Sequence, residues 1–555
     1  MFMRKTRYSL FALWTVCVLL GVAGCAHVQD TSEAPPEQAK SGGTNENLFA
    51  GVRARIQRAM VESQIPGFAV AVARDGEILW EEGFGWADRE KRIPVTPHTM
   101  FSLASVSKPL AATGLMVLVQ QGEIDLDAPV NDYLPEDSQL KVWVGDPNDV
   151  TVRRLANHTA GLPRHENFYH AHELQRKPSM AESIRRFGNT VMLPGERYRY
   201  SNFGYGILPY LIEYVSGKSF ADFMWTEVFV PLNMTRSSVE IGPGLEEFAA
   251  ARYDEGDRPI PFYNTDHVGA SDIYASAHDL ALFGIFHLGQ AGADQKGILS
   301  DEFRLAMQVP TASMNPANPP DTPSAPGSYY GIGWVLDDNA MGKQVSHTGG
   351  MGGVATRIAL MPDEGIVVVA VANKSCHLPW WIEREILAVL VPDYSERIEK
   401  YRQERRGGRR RNRPQEYKPV PELLGDWEGE VHTYEGNCPM TLSFKESGDI
   451  IATLVKSEER YPWPVLVVDA TFTNNRFMGK MAGRIFTRDS NRRRRVTPFH
   501  HLDLDLTLRD DVLNGAVIAI AGNSLSYWVE LHKKQEPQTT DETEPADQPD
   551  QTAAP

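Results

Sequence analysis

Two pairs of apolar runs, far apart in the chain, constrain its fold more than any other feature. Phe68–Ala73 is followed by Asp75-Gly76 and then Ile78–Trp80, and a two-residue Asp-Gly turn between apolar runs predicts a hairpin. A second pair of strand-like runs, 354–361 and 365–372, is joined by Pro362-Asp363-Glu364. Ahead of the first pair, Leu48, Val52, Ile56 and Met60 recur at helical spacing. Between the pairs, helical patterns fall at 106–121, 208–215, 219–229 and 277–289, with another at 379–391. The expected class is α/β in the α+β sense. An antiparallel sheet is built from N- and C-terminal parts, with helices over its faces and in an inserted lobe.

The ends of the chain read differently. Arg4, Lys5 and Arg7 precede a short apolar stretch from Leu10 to Gly21, too brief for a membrane span and matched to a secretory signal over residues 1–24. Val22-Ala23-Gly24-Cys25 is similar to a bacterial lipobox, with Cys25 as the lipidated residue. The competing reading is a plain signal with a chance Cys. Residues 25–46 are a flexible tether, and 47–397 the main domain. Nine Lys/Arg against three Glu in 398–419 predict a solvated basic linker, or a contact with an anionic envelope surface. Residues 420–533 carry short runs and turn signals of a small all-β barrel or sandwich. Residues 534–555 are a disordered acidic tail.

The formal net charge is −16, and loss of residues 1–24 would make it more negative, which removes any global pull toward nucleic acid. Cys376 and Cys438 are the two Cys left once Cys17 and Cys25 are set aside. Two buried free thiols are favoured over an interdomain disulfide. No Cys-x-x-Cys or His-Glu-x-x-His occurs, so no metal and no cofactor is expected.

Three stretches carry chemistry. Ser105 opens a helical pattern that sets Lys108 one turn on, on the same face. An uncharged Lys108 amine can take the Ser105 proton if a dry cleft lowers its pKa. A second Ser-x-x-Lys, Ser138 to Lys141, has no room for a helix and is a chance match. Tyr200-Ser201-Asn202 offers a phenol to relay a proton and an amide to bind a substrate amide and orient Lys108. Ser346-His347-Thr348-Gly349-Gly350 precedes a strand, and its glycines let a substrate backbone lie close. Each stretch taken alone is better read as a cap, a loop or a turn.

Together and in this order they resemble the class C serine β-lactamases, the low-molecular-mass DD-peptidases, and their esterase and D-aminopeptidase relatives. Val152–Pro163, Asp272–Leu280 and Tyr330–Trp334 are similar to further family segments, so the resemblance spans roughly 48–395. It implies a β-lactamase/transpeptidase-like fold. It also implies Ser105 as nucleophile, Lys108 as base and Tyr200 as relay. Asn202, His347, Thr348, Gly349 and Gly350 would bind substrate, His347 taking a carboxylate or else assisting Tyr200, with the Ser105 and Gly350 N–H groups as oxyanion hole. His347 stands where most class C β-lactamases have Lys, which tilts the resemblance toward peptidases and esterases. His158 reads as structural, His170 and His172 as solvated in a polar helical stretch. His500-His501 has no metal partner, Arg492–Arg495 is a charged turn, and Trp380-Trp381 is core or lobe packing.

The implied protein is an envelope serine hydrolase acting on a small peptide, amide or ester, peptidoglycan fragments among them. It would be held to the membrane by its lipid on the periplasmic side or the outer membrane. A true β-lactamase and a non-catalytic penicillin-binding-type protein are the alternatives.

Overall fold

Alternation of side-chain direction along the strand Gly67–Arg74 sorts the core into two layers. Phe68, Val70 and Val72 face one side, and Ala69, Ala71 and Ala73 the other. The computed structural model describes residues 48–172, 176–241, 244–315, 327–409, 417–455, 463–485, 487–489 and 501–534, with side chains to Glu404 in the segment that ends at 409. Cys25, the signal and tether, Arg492–Arg495, His500 and the tail beyond Lys534 lie outside the described residues.

The main sheet is antiparallel and nine-stranded. From one edge it runs Ile93–Pro94, Glu77–Asp88, Gly67–Arg74, Ile366–Ala372, Val354–Met361, Gly342–Met351, Val335–Asn339, Gly327–Tyr330 and Ala312–Ser313. The two expected hairpins meet at its centre, with Val72 paired to Val368 and Phe68 to Ala372. The helices Ala50–Glu62 and Leu378–Leu390 cover the Phe68 face. The helices Ser107–Gln120, Asn202–Ser216 and Ala277–His287 cover the alanine face. Small side chains there let a helix come close. A Cβ on Gly284 would lie 2.5 Å from Val367 Cγ1.

A second nine-stranded sheet coils into a nearly closed barrel. Its order is Val465–Leu466, Ile450–Leu454, Gly436–Phe444, Gly425–Thr433, Ser524–Lys533, Val512–Ile520, His501–Arg509, Arg476–Ala482 and Val468–Thr473. The first and last of its strands in the chain pair side by side, Val431 opposite Val529. Trp427, Leu442, Phe477, Leu504, Leu506 and Leu531 are buried in its core. Aromatic contacts seat the barrel on the part built around the main sheet. Trp143 lies 4.7 Å from the His432 ring, and Phe187 meets Tyr434 edge-on at 5.5 Å.

Several expectations need correction. The residues expected to form a basic linker from 398 begin inside a helix, Tyr394–Arg409. Its first turns are held by Tyr394, which is buried, and by Arg397, which pairs with Glu364 at 2.7 Å and Asp393 at 2.9 Å. Trp380 and Trp381 are exposed rather than packed, at 40% and 48%, with the Arg384 guanidinium 3.7 Å from the Trp380 ring centre. His170 ends a short strand, Phe168–His170, paired with Tyr263–Thr265, where a helix was expected. Cys376 and Cys438 are free thiols, half-buried rather than buried. Burial pushes the Cys376 thiol up to about 11.

Gly284→Val is expected to lower stability by about 1–3 kcal/mol through overpacking against Val367, seen as an earlier thermal unfolding transition.

Candidate active site

Ser105 sits in a single turn of 3-10 helix, Ala104–Val106, that feeds the helix Ser107–Gln120. The residue before it, Ala104, has φ +47, a left-handed conformation uncommon for a side chain with Cβ. Such strain is kept where the surroundings enforce it. Here the Leu103 carbonyl accepts from Thr356 Oγ1 at 2.7 Å and ties the turn to the central sheet.

From that turn the Lys108 side chain enters a fully buried position. Its Nζ lies 2.8 Å from Asn202 Oδ1, 3.1 Å from the Ala270 carbonyl and 3.3 Å from Ser105 Oγ. Burial holds its pKa well below 10.5, and the Arg164 guanidinium lowers it further against the opposing pull of Glu166. A neutral amine fits these three partners. Its two hydrogens go to the two carbonyl oxygens, and its lone pair is left for the Ser105 proton.

Asn202 is placed by the start of its own helix. The Ser201 hydroxyl caps that helix by accepting from the Gly204 N–H at 3.0 Å, and it donates to the Pro163 carbonyl at 2.6 Å. The helix therefore begins at Asn202, earlier than the periodicity places it, and accommodates Pro209. Asn202 Nδ2 donates to the His165 carbonyl at 3.1 Å, which leaves one amide hydrogen unassigned.

Tyr200 stands over the lysine, with Lys108 Nζ 4.7 Å from the ring centre. Burial raises the phenol pKa, and the Ser105 hydroxyl and Arg164 lower it in part. At neutral pH it is a protonated donor. His347 lies 6.5 Å from Tyr200, ring centre to ring centre. Its Nδ1 is 2.9 Å from the Thr348 carbonyl, so that nitrogen carries the hydrogen. Its Nε2 then accepts from the Tyr330 hydroxyl at 3.0 Å. Burial, with Lys108 adding to it, pushes the His347 pKa down to about 3. His347 is thus a neutral wall of the site with both nitrogens engaged, and it brings no positive charge.

The strand Gly342–Met351 pairs with Val335–Asn339 only as far as Ser346, so on that side its edge from His347 onward has no neighbouring strand among the described residues. Gly349 is required there. A Cβ would fall 2.1 Å from Thr356 Oγ1 and 2.2 Å from the Leu103 carbonyl. Gly350 borders open space. The structure thus gathers Ser105, Lys108, Tyr200, Asn202, His347 and the Thr348–Gly350 edge at one place.

Sequence reasoning missed part of the wall. Tyr198, Tyr205 and Tyr330 surround the His158 ring at 5.7, 5.1 and 4.5 Å, and Tyr200 lies 4.4 Å from it. His158 has φ +65, and its Nδ1 accepts from the Ser201 N–H at 3.1 Å. Through that bond it braces the Tyr-x-Asn segment directly. Alternation of Arg and Tyr over 197–200 is the signal that could have exposed this arrangement.

Two groups among the described residues offer metal-type ligand atoms within 4.8 Å of one another: Glu81, His98 and His278 at the surface, and His165, Asp266 and His267 in the interior. In the buried group Asp266 accepts from His165 at 3.0 Å, His267 at 3.0 Å and Ser183 at 3.1 Å, so its oxygens are already occupied. Burial opposes ionisation of Asp266, but the two imidazoles hold its carboxyl well below the usual range.

A family model described as Beta-lactamase matches residues 52–377, more than half of the chain. The chain is similar to Penicillin-binding protein 4* of Bacillus subtilis, 29% identical over 322 residues that cover 55% of this chain and 67% of that protein. It is also similar to an unguisins hydrolase of Aspergillus campestris, 29% identical over 350 residues, 60% of this chain and 63% of that protein. Matches thus span about two thirds of these relatives' own length. Among solved structures, an octameric penicillin-binding protein homologue from Pyrococcus abyssi shares the fold over 87% of this chain and 99% of its own, at TM-score 0.53 and 21% identity. A class C β-lactamase from Rhodobacter sphaeroides shares it over 62% of this chain and 100% of its own, at 0.50 and 22%.

The rate of Ser105 acylation is expected to rise with pH through a midpoint well below 10.5, because the reactive form is the neutral Lys108 amine. Lys108→Arg should abolish both the rate and the titration, as stopped-flow acylation across pH would record. Gly349→Ala should reduce acylation about 10²-fold or more by displacing the strand from the Ser105 turn.

Proposed function

This chain belongs to the beta-lactamase family of serine hydrolases, and on that footing we propose that it hydrolyses a small peptide, amide or ester through an acyl-Ser105 intermediate, in the manner of DD-peptidases and esterases. The observation that carries the reading is Lys108 Nζ buried between two carbonyl oxygens and 3.3 Å from Ser105 Oγ, where a neutral amine can turn its lone pair to the hydroxyl.

The steps follow from those positions. Lys108 Nζ takes the Ser105 proton as Oγ bonds to the substrate carbonyl carbon. The oxyanion is received by the N–H groups of Ser105 and Gly350, a kind of contact worth about 10²–10³ in rate per donor. The bond to the leaving nitrogen or oxygen breaks as a proton reaches that atom through Tyr200. Water then adds to the acyl carbon, gives a proton to the Tyr200–Lys108 pair, and releases the acid with Ser105 restored. Asn202 donates its remaining amide hydrogen to an acyl-side carbonyl. A substrate carboxylate is received by the exposed Thr348 hydroxyl and the strand edge, since His347 is neutral.

Lysine is absent at position 347, which favours peptide or ester turnover over efficient lactam hydrolysis; a lactam still acylates Ser105. The same reading places the enzyme at the cell envelope, lipid-anchored through Cys25. Support for that placement is the Arg4–Arg7 charge, the short apolar run and the small residues before the thiol. A purely binding role is disfavoured because nucleophile, base and relay are all present within reach of one another.

Ser105→Ala is expected to abolish hydrolysis while leaving Tm within a degree or two. Mass spectrometry after exposure to penicillin, a D-Ala-D-Ala peptide and short-chain nitrophenyl esters should find the adduct on Ser105 and rank the substrates. Full activity in Ser105→Ala would end the assignment.

A further inference from the structure

Side chains alternate in direction along Arg197–Tyr200. Tyr198 and Tyr200 turn to the site and meet His158. Arg197 and Arg199 turn the other way and meet Asp505 of the barrel, Arg199 in direct contact and Arg197 at 3.6 Å. On its own strand Asp505 lies between Leu504 and Leu506, both buried inside the barrel, so its carboxylate points outward at the hydrolase part. Arg476 holds the same carboxylate at 2.6 and 2.9 Å. Burial opposes its ionisation, yet Arg199, Arg476 and Arg197 keep the carboxyl well below the usual range. The residue just before, Glu196, is tied to the barrel by Arg509 at 2.6 Å.

A second clasp joins the barrel hairpin 521–524 to the other side of the site. Glu166 and Ser524 exchange both backbone hydrogen bonds, each at 2.8 Å. Asn523 Nδ2 donates to Asn167 Oδ1 at 3.0 Å, and Asn523 Oδ1 accepts from the Phe168 N–H at 3.4 Å. The clasped segment carries the two carbonyls that fix Asn202. Arg164 accepts from the Asn202 backbone N–H at 2.8 Å, and His165 accepts from Asn202 Nδ2 at 3.1 Å.

We infer that Asp505 and Asn523 are positioning residues of the catalytic site, Asp505 acting on Tyr200 through Arg199, and Asn523 acting on Asn202 through the segment 164–167. The barrel is then a working part of the hydrolase. This inference rests on the acyl-serine reading above. Displacement of a reacting group by about 1 Å can cost about 10²-fold in rate, so a clasp one residue away from Tyr200 has ample leverage.

The test uses the full chain and two substrates, a penicillin, which carries an acyl-side amide, and nitrophenyl acetate, which does not. Asn523→Ala should lower the penicillin acylation rate at least tenfold and ester turnover several-fold less, because both reactions need Asn202 Oδ1 on Lys108 but only the former also uses its amide hydrogen. Asp505→Asn should lower kcat at least tenfold on the ester with KM changed less than threefold, and Asp505→Glu should recover a third or more of the wild-type kcat. Wild-type rates in both variants would overturn the inference. Equal losses on both substrates in Asn523→Ala, together with a fallen Tm, would also overturn it, since general loosening moves the two alike. Absence of a Ser105 adduct in the wild-type protein would overturn both readings; an adduct with unaffected variants would overturn this one alone.

Discussion

A lysine amine fully removed from water organises this molecule. Lys108 is tolerable in that position only because it can give up its charge and because Asn202 and the Ala270 carbonyl receive its hydrogens. Those partners come from the start of one helix and the end of another short one, and Ser105 comes from a third. The helical layer must therefore close with all three ends converging, or the amine is left with unsatisfied hydrogens in an apolar interior. The constraint that builds the site is the same one that makes the base reactive.

The central sheet supplies the other reference frame. Thr356 and Gly349 fix the distance between the Ser105 turn and the strand edge, the first by a hydrogen bond and the second by having no side chain. A tyrosine cluster around His158 fills the space between that edge and the Tyr-x-Asn segment. Polar groups in this wall are neutral at ordinary pH: His347 gives its hydrogen to a carbonyl and takes one from Tyr330. Charge is held back to the rim, at Arg164 and Glu166.

Much of this was legible in the sequence. Both central hairpins announced themselves by period and turn chemistry, and the three catalytic stretches by their order and context. Long-range pairings were not legible. Arg199 with Asp505, or Asn523 with Asn167, leave no local periodicity and belong to parts of the chain that read as separate domains. Tyr330 was visible only as part of a family segment, because nothing in its neighbours says that its hydroxyl meets His347. The helix Tyr394–Arg409 was hidden by composition: a run rich in arginine resembles a linker, although arginine is a good helix former. Trp380 and Trp381 were misread for the opposite reason, since large aromatic residues suggest a core that the helix face does not provide.

The pairing of the first and last barrel strands has a consequence for how the chain matures. During vectorial emergence from a ribosome, the central sheet can close once Ile366–Ala372 is out, whereas the barrel must wait for Ser524–Lys533. The segments that carry Ser105, Lys108 and Tyr200 thus emerge well before the strand Ser524–Lys533 that clasps Glu166. Order of synthesis thus separates closure of the central sheet from closure of the barrel that packs against it.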